Sequence, residues 1–345
     1  MTRKNAIYMT LSDNYSFAAA NLIMSIRDNS PKVFDACDLI LYHNGICEQN
    51  QKALRRIRDD ITFLPMSDDI PKITEAIYSN SDKNAQYGLE KLHGFDLLRD
   101  YERLLWFETD IFVSKPVDYL LELEADIAFW PYGEGSGQFF PTLLKNPSDN
   151  PPLCQGGVTV LCNSINRFGL DHDTLKQRSD EFRAVIRGGE ASIEEKLISY
   201  LVYYYDMKYV TLPKEYNATL YFLVKSHETK VFADARVQHF AAGKYAKPWE
   251  NDMIYRAFPK WAFNYFKFIE MGGVNYPVLD DKNSFFDDLF TLDTLVKFVK
   301  MEQGYQELVQ DATKYRQLAE ILRTDPMTYL KNHVIGLNKQ GPAGK

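Results

Sequence analysis

The chain has 345 residues, and its composition of 45% hydrophobic and 25% charged residues is typical of a folded globular protein. This composition excludes a largely disordered chain, and the length provides for one large α/β domain or two smaller ones with a sizeable core. The formal net charge of −7 gives no electrostatic reason to expect a nucleic-acid partner.

The cysteines and the apolar stretches bear on the compartment of the protein. Cys37, Cys47, Cys154 and Cys162 form no C-x-x-C pair, and Met1 is followed by polar residues rather than by an apolar signal sequence. No stretch is long enough to span a bilayer. We therefore expect free, mostly buried cysteines and a cytoplasmic protein without a transmembrane segment.

The first third of the sequence predicts strands that alternate with helices. Strands are expected at residues 6–11, 38–42 and 61–64, and helices at residues 15–29 and 48–58. The polar residues 12–14 form a turn that can cap the first of these helices. Such alternation predicts parallel strand pairs joined by right-handed crossovers.

An apolar stretch at residues 104–113, interrupted by Glu108 and Asp110, follows a predicted helix at residues 86–99. This stretch predicts a buried parallel strand, with a buried helical turn as the alternative. The two carboxylates then fall at the carboxyl end of the strand, where open α/β sheets bind ligands, and they point the same way. They could share a divalent cation, although such a triplet on its own is more often a solvated turn.

The second half of the sequence is less regular. Strands are expected at residues 127–130 and 158–162, and helices at residues 173–186, 192–204, 291–301 and 302–323. Prolines and glycines break every period between residues 131 and 157, which is typical of a functional or mobile loop. The region from residue 261 to residue 345 is expected to be a mainly helical C-terminal extension. It could pack on the preceding domain, pair with a second copy as a homodimer, or lie against a membrane surface.

Three separated motifs carry a resemblance to a known family. They are Lys91-Leu92-His93, the triplet Glu108-Thr109-Asp110 seventeen residues further on, and a segment that runs from His239-Phe240 through Gly243 to Lys247-Pro248-Trp249. At these residues the chain resembles the glycogenin-like glycosyltransferases of family 8, over about residues 5–250. The resemblance implies a GT-A catalytic domain at residues 1–260, with a mixed, mainly parallel Rossmann-like sheet flanked by helices.

The resemblance also implies how a metal ion would be bound. Glu108, Asp110 and His239 would be its ligands, and this set of oxygen and nitrogen donors favours Mn²⁺, with Mg²⁺ as the alternative, over Ca²⁺. The plainer interpretation of His239 is a core histidine with its hydrogen bonds satisfied.

A nucleotide-diphosphate sugar would be bound by a second group of residues. Lys247 and Gly243 would contact the diphosphate, the lysine as a point charge. The residues that would border the nucleotide are Leu11, Ser12, Asn14 and Tyr15, with Tyr15 stacked on uracil. The plainer interpretations are a solvated lysine at residue 247 and a packed helix-start residue at position 15.

Three residues are implied to act on the transferred sugar. Lys91 would bridge phosphate and sugar hydroxyls. Gln155 begins a Gln-Gly-Gly segment that replaces the Asn-Ser-Gly of the family just before a predicted strand. Glu194 stands at the start of a helix, where it would hold sugar hydroxyls or offset the charge that develops on the sugar. Lys91 could equally be an exposed helix lysine, and Glu194 an acid that the helix dipole alone favours.

The sequence also departs from the family pattern. Glu108 replaces the usual first Asp of the triplet and is one methylene longer, which could alter the metal geometry. The spacing from His239 to Lys247 is two residues longer than in glycogenin. No tyrosine matches the self-glucosylated position of glycogenin after Tyr216-Asn217, so self-glucosylation is not expected.

The implied activity is metal-dependent, retaining transfer of a hexose from a UDP-sugar to a hydroxyl acceptor, which could be a glycan, a lipid-linked glycan or a protein. The alternative is a catalytically silent UDP-sugar-binding or scaffold protein on the same fold. A nucleotidyltransferase ranks last, because no glycine-rich loop follows the first strand. We expect the acceptor to dock at residues 131–153 and around residues 216–227.

Overall fold

Two β-sheets form the frame of the computed structural model, which describes residues 3–66, 90–131, 143–146, 148–177, 192–220, 229–241, 247–250, 254 and 258–274. The strands within these ranges are β1 (Asn5–Ser12), β2 (Cys37–Asn44), β3 (Thr62–Pro65), β4 (Arg103–Phe107), β5 (Ile111–Val113), β6 (Ile127–Pro131), β7 (Cys154–Cys162), β8 (Tyr209–Thr211), β9 (Ala218–Thr219) and β10 (Val237–His239).

Helices connect and cover these strands. The described α-helices are α1 (Ser16–Asn29), α2 (Pro31–Ala36), α3 (Glu48–Ile57), α4 (His93–Leu97), α5 (His172–Gln177), α6 (Ile193–Tyr204), α7 (Thr229–Asp234) and α8 (Pro259–Glu270). Short 3-10 turns occupy Asp13–Tyr15, Glu90–Leu92, Asp118–Leu121, Asn163–Phe168 and Lys214–Tyr216.

The larger sheet has seven strands in the order β3-β2-β1-β4-β7-β6-β8. The pairs β1–β2, β2–β3, β1–β4 and β6–β8 are parallel, whereas β7 is antiparallel to both of its neighbours. Helices α1 and α3 supply the crossovers that parallel neighbours require. The predicted mixed, mainly parallel α/β sheet is therefore confirmed, and β5, β10 and β9 form a second, three-stranded sheet.

Both faces of the large sheet are buried, as β4 illustrates. Leu105 and Phe107 pack into a core on one face, whereas Leu104 and Trp106 pack into a second core on the other. Alternation of side chains along an extended chain assigns them to the two faces. This burial on both faces explains why the sequence of β4 is apolar without interruption.

Helix α8 packs against α1 on the first of these cores. Trp261 and Phe268 are fully buried there, and the Asn21 side chain in α1 donates a 2.7 Å hydrogen bond to the Trp261 carbonyl. The predicted start of the C-terminal extension falls inside α8. Residues 275–345, with the predicted helices at 291–301 and 302–323, lie outside the described residues, so the domain division and the homodimer stay predictions.

The segments on either side of the acidic triplet differ from their predicted form. The stretch at residues 104–113 is two strands, β4 and β5, which belong to different sheets. The predicted helix at residues 86–99 is a 3-10 turn followed by the five-residue α4, and residues 86–89 lie outside the described part. The Tyr8 hydroxyl donates to the Lys91 carbonyl at 2.8 Å, so a side chain engages a carbonyl at the start of this segment.

The turn at residues 12–14 does not cap α1, whose N-terminus has no side-chain cap. The Asp13 carboxylate instead accepts hydrogen bonds from the Cys47 backbone N–H at 2.9 Å and the Asn50 side chain at 2.8 Å. It therefore supports the N-terminus of α3, the helix that follows β2. The capping prediction identified a suitable residue but the wrong helix, because capping partners can come from another segment of the chain.

The prediction of free cysteines is confirmed, since all four are unpaired and three of them are buried. Among the helices that the structure describes, none is both long and apolar enough to cross a membrane.

Candidate functional site

The acidic triplet lies in the break between β4 and β5, at the carboxyl end of β4. The Glu108 backbone N–H donates to the Gly157 carbonyl at 3.0 Å, and the Asp110 carbonyl accepts from the Phe240 N–H at 2.9 Å. The antiparallel pairing of β5 with β10 then brings His239 next to the two acids. Backbone pairing thus joins residues that are far apart in sequence.

The side chains of these three residues converge. His239 Nε2 lies 3.0 Å from Glu108 Oε2 and 3.3 Å from Asp110 Oδ1. The other ring nitrogen, Nδ1, lies 2.8 Å from Asn217 Oδ1. Because an amide oxygen only accepts, Nδ1 is the donor in this hydrogen bond, and Nε2 is the nitrogen directed at the acids.

This cluster has the properties of a divalent-cation site. Glu108, Asp110 and His239 each offer one ligand atom, and these atoms lie within 4.8 Å of one another. His239 is 2% exposed, and its Nε2 has no hydrogen-bond partner of good geometry among the described residues. Two carboxylate oxygens and an imidazole nitrogen are donors that fit Mn²⁺ better than Mg²⁺, which prefers oxygen ligands alone. These three residues could therefore hold the metal ion that the resemblance implies.

Lys91 lies beside this cluster and is buried, with a side chain 3% exposed. Its Nζ is 2.9 Å from Glu108 Oε1, 3.4 Å from Glu194 Oε1 and 3.1 Å from the Gly156 carbonyl. It also lies 4.9 Å from the centre of the Trp106 ring, in cation–π range. The interpretation of Lys91 as an exposed helix lysine is therefore wrong.

Lys247 contacts the other acid of the cluster. Its Nζ lies 3.0 Å from Asp110 Oδ2, and the side chain is 16% exposed. The rings of Tyr15 and Trp249 lie 5.5 Å and 5.3 Å from the same nitrogen. These contacts exclude a freely solvated lysine.

The charges shift the proton affinities of the whole group. Burial on its own would raise the pKa of Glu108, but Lys91 and then His239 outweigh it and lower the pKa to about 2. The pKa of Asp110 is held far below its usual range in spite of burial, chiefly by Lys247. Burial disfavours charged His239, yet Asp110 and Glu108 raise its pKa to about 9. The acids are thus anions, and Lys91, Lys247 and His239 are stabilised in their charged forms.

Similarity to known proteins is found at the level of structure. No protein-family profile and no curated protein matches the sequence. The apo structure of the bifunctional glycosyltransferase WbbM is similar over 80% of this chain and 50% of that chain, with 16% identity and a TM-score of 0.53. The chain therefore spans about half the length of WbbM.

The galactosyltransferase LgtC, solved with donor and acceptor sugar analogues, is similar over 79% of this chain and 97% of that chain, with 15% identity and a TM-score of 0.52. An active-site mutant of LgtC has a TM-score of 0.55 over the same shares. The chain has the GT-A glycosyltransferase fold. At these identities the similarity shows the fold alone, so the activity has to be argued from the site.

In this GT-A fold, the two adjacent acids at the start of α6 have different surroundings. Glu195 forms a capping box with Ser192, and it also accepts a 2.9 Å hydrogen bond from the Gly156 N–H. Glu194 is buried and faces Lys91. Capping of the helix therefore explains an acid at position 195, whereas Glu194 pairs with a charged residue of the site.

Gln155 and the two glycines after it lie inside β7, whereas the sequence placed them just before a strand. The Gln155 side-chain amide donates to the Thr219 hydroxyl, and within the described part of the chain its Oε1 has no partner. The prediction placed the strand start too late because glycines interrupt the β pattern.

The glycines of β7 permit close packing at the cluster. A Cβ on Gly157 would collide with His239 Nδ1 and with Asn217 Oδ1, and a Cβ on Gly156 would collide with Lys91 Nζ. A side chain at Gly157 would have to displace the His239 ring, so glycine at this position lets the backbone of β7 pass this close to the histidine.

The residues expected to border a nucleotide lie at the carboxyl end of β1, which is parallel to β4. Leu11 is buried, the Ser12 hydroxyl donates to the Asn14 side chain, and Tyr15 is half-buried beside Lys247. Gly243 lies outside the described residues.

Sequence reasoning missed the role of Asn217. It is fully buried in the segment before β9, and it fixes which nitrogen of His239 faces the acids. A two-residue strand has no period to detect, and a buried amide has no motif of its own. The pairing of β9 with β10 is what brings Asn217 next to His239.

Proposed function

We propose that this protein is a glycogenin-like glycosyltransferase of family 8, a metal-dependent, retaining enzyme that transfers a hexose from a UDP-sugar to a hydroxyl acceptor. The observation that carries the proposal is the convergence of Glu108, Asp110 and His239 with Lys91 and Lys247 at the carboxyl end of β4, within a GT-A fold. This is the edge at which open α/β sheets bind ligands.

In this proposal Leu11, Ser12, Asn14 and Tyr15 bind the nucleoside, with the Tyr15 ring stacked on uracil. Stacking of an aromatic ring on a base contributes about 1–3 kcal/mol in proteins that bind single-stranded nucleic acids. Lys247, together with Gly243, then binds the diphosphate. The position of Lys247 between Tyr15 and Asp110 supports this assignment, since the ammonium group lies between the proposed base-binding and metal-binding residues.

Glu108, Asp110 and His239 would hold Mn²⁺, or alternatively Mg²⁺. A bound divalent cation would offset the negative charge that develops on the departing diphosphate. Glu108 is one methylene longer than the usual Asp, and its two carboxylate oxygens face different partners. One oxygen faces His239, and the other faces Lys91. A carboxylate with this reach can contact the metal and the lysine together.

The transfer step would be a displacement on one face of the sugar. The bond from the anomeric carbon to the phosphate oxygen breaks, the acceptor oxygen bonds to the same carbon, and the departing phosphate takes the acceptor proton. Lys91 would donate to a phosphate oxygen and a sugar hydroxyl. Glu194, which is paired with Lys91, would accept hydrogen bonds from sugar hydroxyls or offset the positive charge that develops on the sugar. Gln155 would orient the sugar through its side-chain oxygen.

The acceptor would dock at residues 131–153 and around residues 216–227, which lie partly outside the described residues. It would be a glycan, a lipid-linked glycan or a protein. A cytoplasmic location follows from the expectation of free cysteines and stays part of the proposal.

The first experiment is hydrolysis of a panel of UDP-sugars with Mn²⁺ and without acceptor, which compares the native chain with Asp110→Ala. We expect slow release of UDP from one sugar, and its loss in the variant. Asp28→Ala is the matched control, because Asp28 is exposed and, within the described part of the chain, its ion pair is the local one with Arg27. UDP binding without turnover on any sugar or acceptor would favour the silent UDP-sugar-binding alternative, and absence of UDP binding would contradict both.

A further inference from the structure

Both acids of the proposed metal site are already paired with lysines. Lys91 Nζ lies 2.9 Å from Glu108 Oε1, and Lys247 Nζ lies 3.0 Å from Asp110 Oδ2. Glu108 and Asp110 are 28% and 11% exposed, so these pairs are screened little by water. Neither carboxylate is an unpaired anion.

The lysines and the histidine use different oxygens of the same acids. Lys91 and Lys247 face Oε1 of Glu108 and Oδ2 of Asp110, whereas His239 Nε2 faces Oε2 and Oδ1. The two inner oxygens and Nε2 remain grouped as a set of metal ligands. A divalent cation bound there, however, would meet two acids whose negative charge is already partly neutralised by lysines. It would also be repelled by the ammonium groups of those two lysines.

Charge repulsion would therefore weaken the binding of a metal ion on its own. Interactions between charges are strong in a buried site, where the effective dielectric constant is well below that of water. A diphosphate would reverse this effect, since it brings several negative charges and can accept hydrogen bonds from both lysines. The flexible four-carbon stem of lysine allows the ammonium group to move from a carboxylate to a phosphate.

We propose that Lys91 and Lys247 are exchangeable counter-ions, which pair with the metal-binding acids in the free protein and pass to the diphosphate when it binds. A divalent cation and a nucleoside diphosphate then bind as a pair, and each raises the affinity for the other by the same factor. This inference rests on the proposed function. It adds that the lysines neutralise the acids first and the diphosphate afterwards.

The deciding experiment measures Mn²⁺ binding by calorimetry, first without nucleotide and then with saturating UDP. For the native chain we expect UDP to tighten Mn²⁺ binding at least tenfold, which is about 1.4 kcal/mol. Lys247→Met should bind Mn²⁺ alone at least several-fold more tightly than the native chain and should bind UDP more weakly. Lys91→Met should change Mn²⁺ binding in the same direction.

Two further variants serve as controls. Lys247→Arg keeps the positive charge and should retain the weak metal binding of the native chain. Lys32→Met removes an exposed lysine that pairs with Glu122 away from the site, and should change neither affinity. Because Lys91 is buried, its variant could be misfolded, and the partly exposed Lys247 therefore carries the test.

The outcomes separate this proposal from the proposed function. If Lys247→Met binds Mn²⁺ alone no more tightly than the native chain, the exchange of counter-ions is overturned, even where UDP binding supports a glycosyltransferase. If UDP binds under no condition, the glycosyltransferase fails. Tighter Mn²⁺ binding by Lys247→Met would in that case still support the pairing of this lysine with the metal-binding acids.

Discussion

The amide of Asn217 shows how a single residue can control the proposed metal site without being a ligand. Its oxygen accepts a 2.8 Å hydrogen bond from His239 Nδ1, and this contact orients the imidazole so that Nε2 faces Glu108 and Asp110. Partners of this kind hold a metal-binding histidine in its tautomer and its ring orientation.

We therefore expect Asn217→Ala to weaken Mn²⁺ binding by roughly 10- to 100-fold, the range found for residues that orient metal ligands. Asn217→Asp keeps an oxygen that accepts from Nδ1 and should retain more of the affinity than the alanine variant. Calorimetric titration with Mn²⁺ in the presence of UDP measures both. Equal affinity in the native chain and Asn217→Ala would contradict the orienting role.

At the scale of elements, β7 makes the site possible because its first residues include no bulky side chain next to His239. Gly157→Ala would place a Cβ against His239 Nδ1 and Asn217 Oδ1, so we expect loss of Mn²⁺ binding. Gly169→Ala is the matched control. Gly169 has a φ of 62° with open space around its Cβ position, so alanine there should cost about 1 kcal/mol of stability and leave metal affinity unchanged. Metal loss in both variants would indicate that general destabilisation is the cause.

A charge cluster formed by α4 and the 3-10 turn before it predicts how the stability of the protein depends on pH. His93 Nε2 lies 3.2 Å from Glu90 Oε2, and Nδ1 lies 3.5 Å from Asp96 Oδ2. Burial lowers the pKa of His93, but the two acids outweigh it and raise the pKa to about 9. Since this value is above that of an unfolded histidine, about 6.5, the stabilisation is complete below pH 6.5 and disappears as the pH rises through 9.

We expect His93→Gln to remove a part of the unfolding free energy, on the order of 2 kcal/mol, that the native chain has at pH 6 and lacks above pH 9. Chemical denaturation at a series of pH values measures this difference. His43→Gln is the control. Because burial lowers the pKa of His43, this residue does not contribute to the fall in unfolding free energy above pH 6.5, and the variant should show the same fall as the native chain. A constant difference between the native chain and His93→Gln from pH 6 to pH 9 would contradict the assignment.

At the scale of the whole molecule, aromatic packing connects α8 to the segment that carries Lys247. The Trp261 ring stacks on Trp249, with ring centres 5.5 Å apart, and on Tyr265 at 5.9 Å. Trp249 follows Lys247 by two residues and also lies within cation–π distance of its Nζ. The C-terminal end of the described chain thus supports one wall of the candidate site.

Trp261→Ala should lower the free energy of unfolding by about 3–5 kcal/mol, the usual effect of truncating a buried tryptophan. Phe263→Ala lies on the same helix but is 43% exposed, so its effect should stay within about 0.5 kcal/mol. Denaturant midpoints compare the two variants. Equal midpoints would contradict the packing of α8 described above.

Much of the frame was predictable because its signals are local. The apolar runs at β1, β2 and β6 and the helix patterns at α1, α3 and α6 predicted elements whose bounds are correct to within a few residues, and the run at β4 predicted where that strand starts but not where it ends. The shortest strands, β8, β9 and β10, were not predicted, since two or three residues are too few to show a period. For the same reason the separation of β4 from β5 could not be predicted.

The sequence by itself determined the alternation of strands and helices, the position of two acids at the carboxyl end of a strand, and the motifs that resemble family 8. These follow from patterns within a few residues or from short motifs. Only the tertiary structure decided that Lys91 and Lys247 are paired with Glu108 and Asp110, and that Asn217 orients His239. Such contacts depend on strand pairing between distant segments, and no local pattern of residues specifies which side chains that pairing brings together.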